Sequence, residues 1–315
     1  MAQVANTYAT FNSTRNREQL MNNIWNVSVS DTPFVKMIGK EAVEGVFVEW
    51  NTDAYAAGAS NKVEQGNQSV IVAVTPTVRL GNRTQISEKV FGVTGTQEKV
   101  EKAGGKSEYG YQLAKKMVEL KKDIEFGCLQ NTTSIAASAG VAPQARGLPG
   151  FMDSNTSLGV GGVAANPVAN TAATDGTLRN FTETLLKTVL QAMFDNGADI
   201  DSTYILLPSA LRTTFDGFLA GQTRFDKAED KSLTATLEVY IGPFGRVKTV
   251  NARHMRAREA FIVNPEFLAL GTLRAMNDTP LAKVGDTQNT LVNTEWTLIN
   301  KNTKAHGVIA DLQAV

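Results

Sequence analysis

Gly105-Lys106-Ser107 ends the way a phosphate-binding loop ends: a glycine that lets backbone N–H groups close around phosphates, a lysine to meet their charge, and a hydroxyl for a metal ion. That pattern requires a further glycine at position 100, and Val100 stands there. The segment therefore reads as the start of a helix. Leu158-Gly159-Val160-Gly161-Gly162 is glycine-rich, but no lysine or strand-to-helix context accompanies it, so a surface loop is the better reading. With only His254, His306 and one cysteine, no zinc set can be assembled from His and Cys. His254 sits in the basic stretch Asn251 to Arg256 and reads as solvated surface or interface. His306, beside Gly307, is expected to make a structural hydrogen bond. No D-x-D-x-D-G or paired-carboxylate pattern stands out. No catalytic residue, metal or cofactor is expected, and the chain does not read as an enzyme.

The bulk properties narrow the partners. The 31 basic and 31 acidic residues cancel, so there is no overall pull toward nucleic acid or an anionic membrane, and any contact with DNA would be local, weak and non-specific. Cys128 falls on the apolar stripe of a helix, where it reads as a core thiol in a reducing compartment. Met1 to Thr7 has neither a basic nor an apolar signal region, and no apolar run is long enough to cross a bilayer, so a soluble protein without a membrane partner is expected.

The elements divide into two compact regions and two long extensions. From Tyr109, the positions Leu113, Met117, Leu120, Ile124 and Cys128 recur at three- and four-residue steps. Lys115, Lys116, Glu119, Lys121, Lys122 and Glu125 are assigned to the wet side, where the lysines could pair with a neighbouring subunit. A helix of about 24 residues would run roughly 36 Å, the length of a spine. Residues 1 to about 30 are polar and read as an arm lying on other surfaces. Val46 to Trp50, Val70 to Val74, Thr77 to Leu80 and Ile86 to Val93 read as strands. Between the first two, Asn51 to Ser69 has only Tyr55 and Val63 as larger apolar residues, so it is either without fixed structure or held by something outside its own domain. Further on, Phe181, Leu185, Val189 and Met193 form a helical stripe stopped by Asn196-Gly197. Tyr204 to Leu207 is a buried strand, Ser209 is the expected cap of a following helix, and Leu233 to Ile241 alternates as a strand does. Leu291 to Ile299 with Ala305 to Ile309 reads as a closing hairpin. The mixed order indicates an α+β class.

Several landmarks in order carry a family resemblance. Val48-Glu49-Trp50-Asn51-Thr52-Asp53, Thr75-Pro76-Thr77 with Gly81-Asn82-Arg83-Thr84-Gln85-Ile86, Gly95 to Lys116, Tyr240 to Val247, and Glu295 to Ile309 together resemble a tailed-bacteriophage major capsid protein. The resemblance covers most of the chain from about residue 30 onward.

It implies the Hong Kong 97-like phage capsid fold: an N-terminal arm at 1 to 43, an extended loop at 44 to 93, the peripheral-domain spine helix at 94 to 135, an axial domain at 136 to 272, and the remaining peripheral sheet at 273 to 315. It also implies assembly as hexamers and pentamers into an icosahedral shell around double-stranded DNA, in the virion, after assembly in the host cytoplasm. The inter-subunit contacts would fall on Trp50, Asp53, Tyr55, Lys62, Glu64, Arg79 and Arg83 of the loop and on Lys115, Lys116 and Lys122 of the spine. Because arm and loop take up everything before the spine, a separate scaffolding protein is expected, along with a portal protein and room for a decoration protein. Some members cross-link a loop lysine to an asparagine, but Lys62 lacks a matching Asn motif and reads as a solvated lysine. An encapsulin-type shell and a soluble α+β enzyme are the alternatives, and the long loop and the absence of a convergent polar pocket argue against them.

Overall fold

The computed structural model describes residues 31–56, 58–68, 71–102, 105–219, 239–283 and 285–313. The arm before residue 31, Val70 and most of Leu233 to Ile241 lie outside the described residues. In chain order come α1 (Pro33–Met37), β1 (Gly39–Ala42), β2 (Phe47–Thr52), β3 (Val78–Arg83), β4 (Gln85–Thr94), α2 (Gly95–Lys99) and the long α3 (Glu108–Gln130). β5 (Thr156–Ser157), β6 (Arg179–Asn180), α4 (Glu183–Asp195), β7 (Tyr204–Leu207), α5 (Ser209–Asp216), β8 (Val239–Gly242) and β9 (Gly245–Asn251) follow. β10 (Ala260–Val263), β11 (Leu268–Pro280), β12 (Thr287–Asn300), β13 (Gly307–Ile309) and β14 (Leu312–Gln313) complete the chain.

Two sheets carry the body. One has the order β1-β11-β12-β4, and the other β5-β13-β10-β7-β9-β8. Strand alternation places the second sheet between two cores. Leu206, Phe261 and Val263 face a cluster with Ile124, Cys128, Phe151, Trp296 and Leu298. Ile205, Leu207 and Ile262 face another, with Leu186, Leu190 and Met193 of α4 and Phe215 of α5.

The spine is a 23-residue helix, with Leu120, Ile124 and Cys128 buried as the period requires. Its start is capped twice. Ser107 Oγ accepts from the Gly110 N–H at 3.1 Å, and Glu98 Oε2 accepts from Glu108 and Tyr109 at 2.9 and 3.1 Å. The hydrogen bond with Ser107, then those from the helix N–H groups, hold the Glu98 carboxyl below the usual carboxylate range. The anion at this helix start is thus the chain's own carboxylate.

Four expectations are corrected. Glu125, assigned to the wet face, is fully buried. Ser209 is the first residue of α5 and not its cap, because Pro208 holds that position with extended backbone. Ile71 to Val74 form no strand, since the pairing that β2 offers ends at Thr52 opposite Val78. The closing hairpin does not form either: both edges of β12 are occupied by β11 and β4, so β13 crosses to the other sheet between β10 and β5.

His306 sits at that crossing and is fully buried. Its Nδ1 accepts the Asn264 N–H at 3.2 Å, which leaves the proton on Nε2, 3.1 Å from Asn300 Oδ1. Burial pushes its pKa down to about 3, so the neutral ring is the form that fits. Cys128 is equally buried, and its thiol is pushed well up by desolvation, in keeping with a core thiol.

Candidate inter-subunit surface

β2 and β3 form a two-stranded antiparallel ribbon that projects the segment between them. One face of the ribbon is fastened to the body. Leu80 and Asn82 are buried, and the Trp50 ring lies 6.2 Å from that of Phe151. The Asn82 carboxamide uses both ends: Nδ2 donates to the carbonyls of Arg146 and Leu298 at 2.9 and 2.7 Å, and Oδ1 accepts from the Arg83 and Arg146 N–H groups at 2.9 and 2.8 Å. Separated by 64 and 216 residues from Arg146 and Leu298, this anchor has no local signature. On the outer face Arg79 reaches Glu49 at 3.7 Å, and the Arg83 guanidinium lies 4.8 Å above the Phe47 ring.

Past Thr52 the chain leaves the body. Residues 53–56 and 58–68 are exposed throughout, including Asp53, Tyr55, Lys62 and Glu64. Tyr55, Ile71 and Val74 are 104%, 99% and 91% exposed, a concentration of bare apolar side chains that a folded monomer normally avoids. Local order there is confined to short contacts, such as the Asn67 N–H on the Glu64 carbonyl at 3.1 Å.

The expected contact residues therefore fall in three groups. Trp50, Arg79 and Arg83 share the ribbon, with the Trp50 indole turned inward. Asp53, Tyr55, Lys62 and Glu64 lie on the projecting loop. Lys115, Lys116 and Lys122 lie on the spine, where Lys116 pairs with Glu119 at 2.7 Å and Lys115 is exposed.

Three further residues had no sequence signal. Glu125 receives the N–H groups of Phe34 and Val35 and so fixes α1 to α3. Asp311, at φ +59°, accepts the Gly159 and Gly176 N–H groups at 2.9 and 2.8 Å and pairs with Arg258. Burial pushes its carboxyl up, but these bonds outweigh burial and hold it below its ordinary value. The glycine-rich stretch thus does wrap an anion, one supplied by its own chain. Arg146 is buried in a cleft of about 250 Å³ that Arg79 and Arg83 also line.

Among the described residues no group of three or more His, Cys, Asp or Glu side chains could hold a metal. No helix among them is long and apolar enough to cross a membrane. Comparison with known proteins agrees with the geometry. The chain is similar to the capsid protein in the Cyanophage A-1(L) asymmetric unit, with a TM-score of 0.64, 14% identity, and coverage of 97% of this chain and 99% of that one. It is also similar to the capsid of an empty GTA particle, with a TM-score of 0.63, 10% identity, and coverage of 96% and 97%. At these identities the likeness establishes the fold, which is the Hong Kong 97-like α+β capsid fold. A major capsid protein of Escherichia phage Phieco32 is 39% identical over 100 residues, which is 31% of this chain and 28% of that protein. The model of the SU10 major capsid protein family matches residues 3–313. With nearly its whole length matched, the chain belongs to the SU10 major capsid protein family, a family of structural shell proteins and not of enzymes.

Proposed function

We propose that copies of this chain tile, as hexamers and pentamers, the icosahedral shell enclosing the double-stranded DNA of a tailed-phage head. The observation that carries this reading is the loop from residue 53 to 68, exposed at every described position and followed by the bare apolar Ile71, Val72 and Val74. A ribbon anchored firmly at its base and bare beyond it suits a segment ordered by adjacent copies. In this reading the arm runs from 1 to 43, the extended loop from 44 to 93 with its return strand β4 lying in the β12 sheet, the spine from 94 to 135, the axial domain from 136 to 272, and the peripheral part from 273, apart from β13, which joins the other sheet.

Within this reading a separate scaffolding protein sets the shell's size, a portal protein occupies one vertex, a decoration protein has room outside, and packaged DNA makes only weak contacts. A structure similar to this chain, from the satellite phage P4 procapsid with its size determination protein, supports the first of these by analogy. Electron microscopy of the chain expressed with and without its neighbouring genes is the test. Closed shells that become uniform only with a partner are expected. A chain that stays monomeric with every partner present would sink the proposal.

A further inference from the structure

Arg146 is only 2% exposed, yet no carboxylate among the described residues pairs with it. Its Nη2 donates to Asn170 Oδ1 at 2.7 Å, its Cζ lies 5.1 Å from the Phe151 ring centroid, and its Nη1 is buried with no acceptor. Burial alone pulls its pKa down to about 10, with no neighbouring acid to restore it. A desolvated guanidinium without a counter-charge is rare, because one neutral acceptor and a ring face offset only part of the cost of removing the charge from water.

The surroundings deepen the imbalance. Arg79 and Arg83 line the same cleft, with Gly81, Ser134 and Asn170. The carboxylate among its lining residues is Glu49, already 3.7 Å from Arg79 and partly exposed. Three arginines thus line a cleft of about 250 Å³ together with one acid. A carboxylate suits such a fork geometrically, since two parallel N–H donors meet its two oxygens. A slender side chain can reach a residue this deep, whereas a nucleic-acid phosphate, tethered on both sides, meets the exposed Arg79 first. A second copy of the chain carries exposed carboxylates of its own: Asp53 and Glu64 stand bare on the projecting loop.

We propose that the cleft holding Arg146, Arg79 and Arg83 receives a carboxylate side chain from a second copy of this chain, and that the buried guanidinium gains its counter-ion only on assembly. This rests on the shell reading above. Arg146 then senses assembly: its charge is unbalanced in the free subunit and paired in the shell.

Cryo-electron microscopy of wild-type shells tests this directly, with a carboxylate oxygen of an adjacent copy expected within ~3 Å of the Arg146 guanidinium. Arg146→Met separates the two states. The unassembled variant is expected to melt at the same temperature as wild type or higher, while its shells come apart at a lower one. A fall in subunit melting that accounts for the whole loss in the shell would make Arg146 an internal strut and overturn the proposal. So would a cleft open to solvent in the particle, or a loss confined to DNA-filled shells, which would point to phosphate. If the variant does not fold, the wild-type map still decides. Wild-type protein that forms no shell at all would refute the functional reading itself, and this inference with it.

Discussion

Glu125 lies in the C-terminal part of the long helix α3 and accepts the main-chain N–H groups of both Phe34 and Val35, at 3.0 and 2.8 Å, across about ninety residues of chain. These are the first N–H groups of α1 that lack helical partners, so a buried carboxylate of one helix caps another. Burial pushes the Glu125 carboxyl up, partly offset by those two bonds. The junction ties α1 to the long helix α3.

Replacing Glu125 by Gln keeps the shape but leaves one oxygen for two donors. The loss is expected at about 1 to 3 kcal/mol in chemical denaturation of the unassembled subunit, the range for stranding a buried donor. An unchanged midpoint would mean that the carboxylate does not hold α1.

Gly127 in the same helix tests packing against propensity. Alanine is the better helix former by about 1 kcal/mol, which by itself argues for stabilisation. A methyl group there would meet the ring of buried Trp296 at 2.9 Å, and that indole is held by Ser87 through its Nε1 at 3.0 Å. Gly127→Ala is therefore expected to lower stability by about 1 to 3 kcal/mol, the usual toll of overpacking. A higher melting temperature would show that the Trp296 site yields.

The loop offers the opposite outcome. Tyr55→Ser with Ile71→Ser alters two fully exposed side chains, so the subunit's stability should move by no more than about 0.5 kcal/mol. Shell yield and shell melting should both fall. Equal loss in subunit and shell would mean that these side chains pack on their own body.

Two buried groups give the subunit opposed pH slopes. Glu259 is driven up to about 7, chiefly by burial, despite Arg256 at 2.8 Å. Its folded pKa exceeds the unfolded one, so its contribution is fully present below about 4.5 and is lost as pH rises through about 7. His306 is held down at about 3, so its contribution is present above about 6.5 and lost as pH falls toward 3. Thermal melts of Glu259→Gln should lose the decline between about 4.5 and 7. Those of His306→Phe should lose the acid slope while starting about 1 to 3 kcal/mol lower, because the Asn264 N–H loses its acceptor. Slopes unchanged from wild type in both variants would assign the pH response to other groups.

The helical period over Leu120, Ile124 and Cys128 is a local property, and it sufficed to place the long helix from near Tyr109 to Asn131 and its buried stripe. The scarcity of apolar residues between Asn51 and Ser69 likewise marked a segment that the structure leaves exposed at 53–56 and 58–68. Partnership between distant residues is another matter. Glu125 looked like one more wet-face acid because its two N–H donors lie ninety residues away. Arg146 carried no pattern, Asn82 stood in a landmark that gave no hint of its distant partners, and β12 and β13, adjacent in sequence, belong to different sheets because β12 already had a neighbour on each side. Periodicity records which face of an element leaves water; which group it meets there depends on closing loops of tens to hundreds of residues, and only the packed tertiary structure decides that.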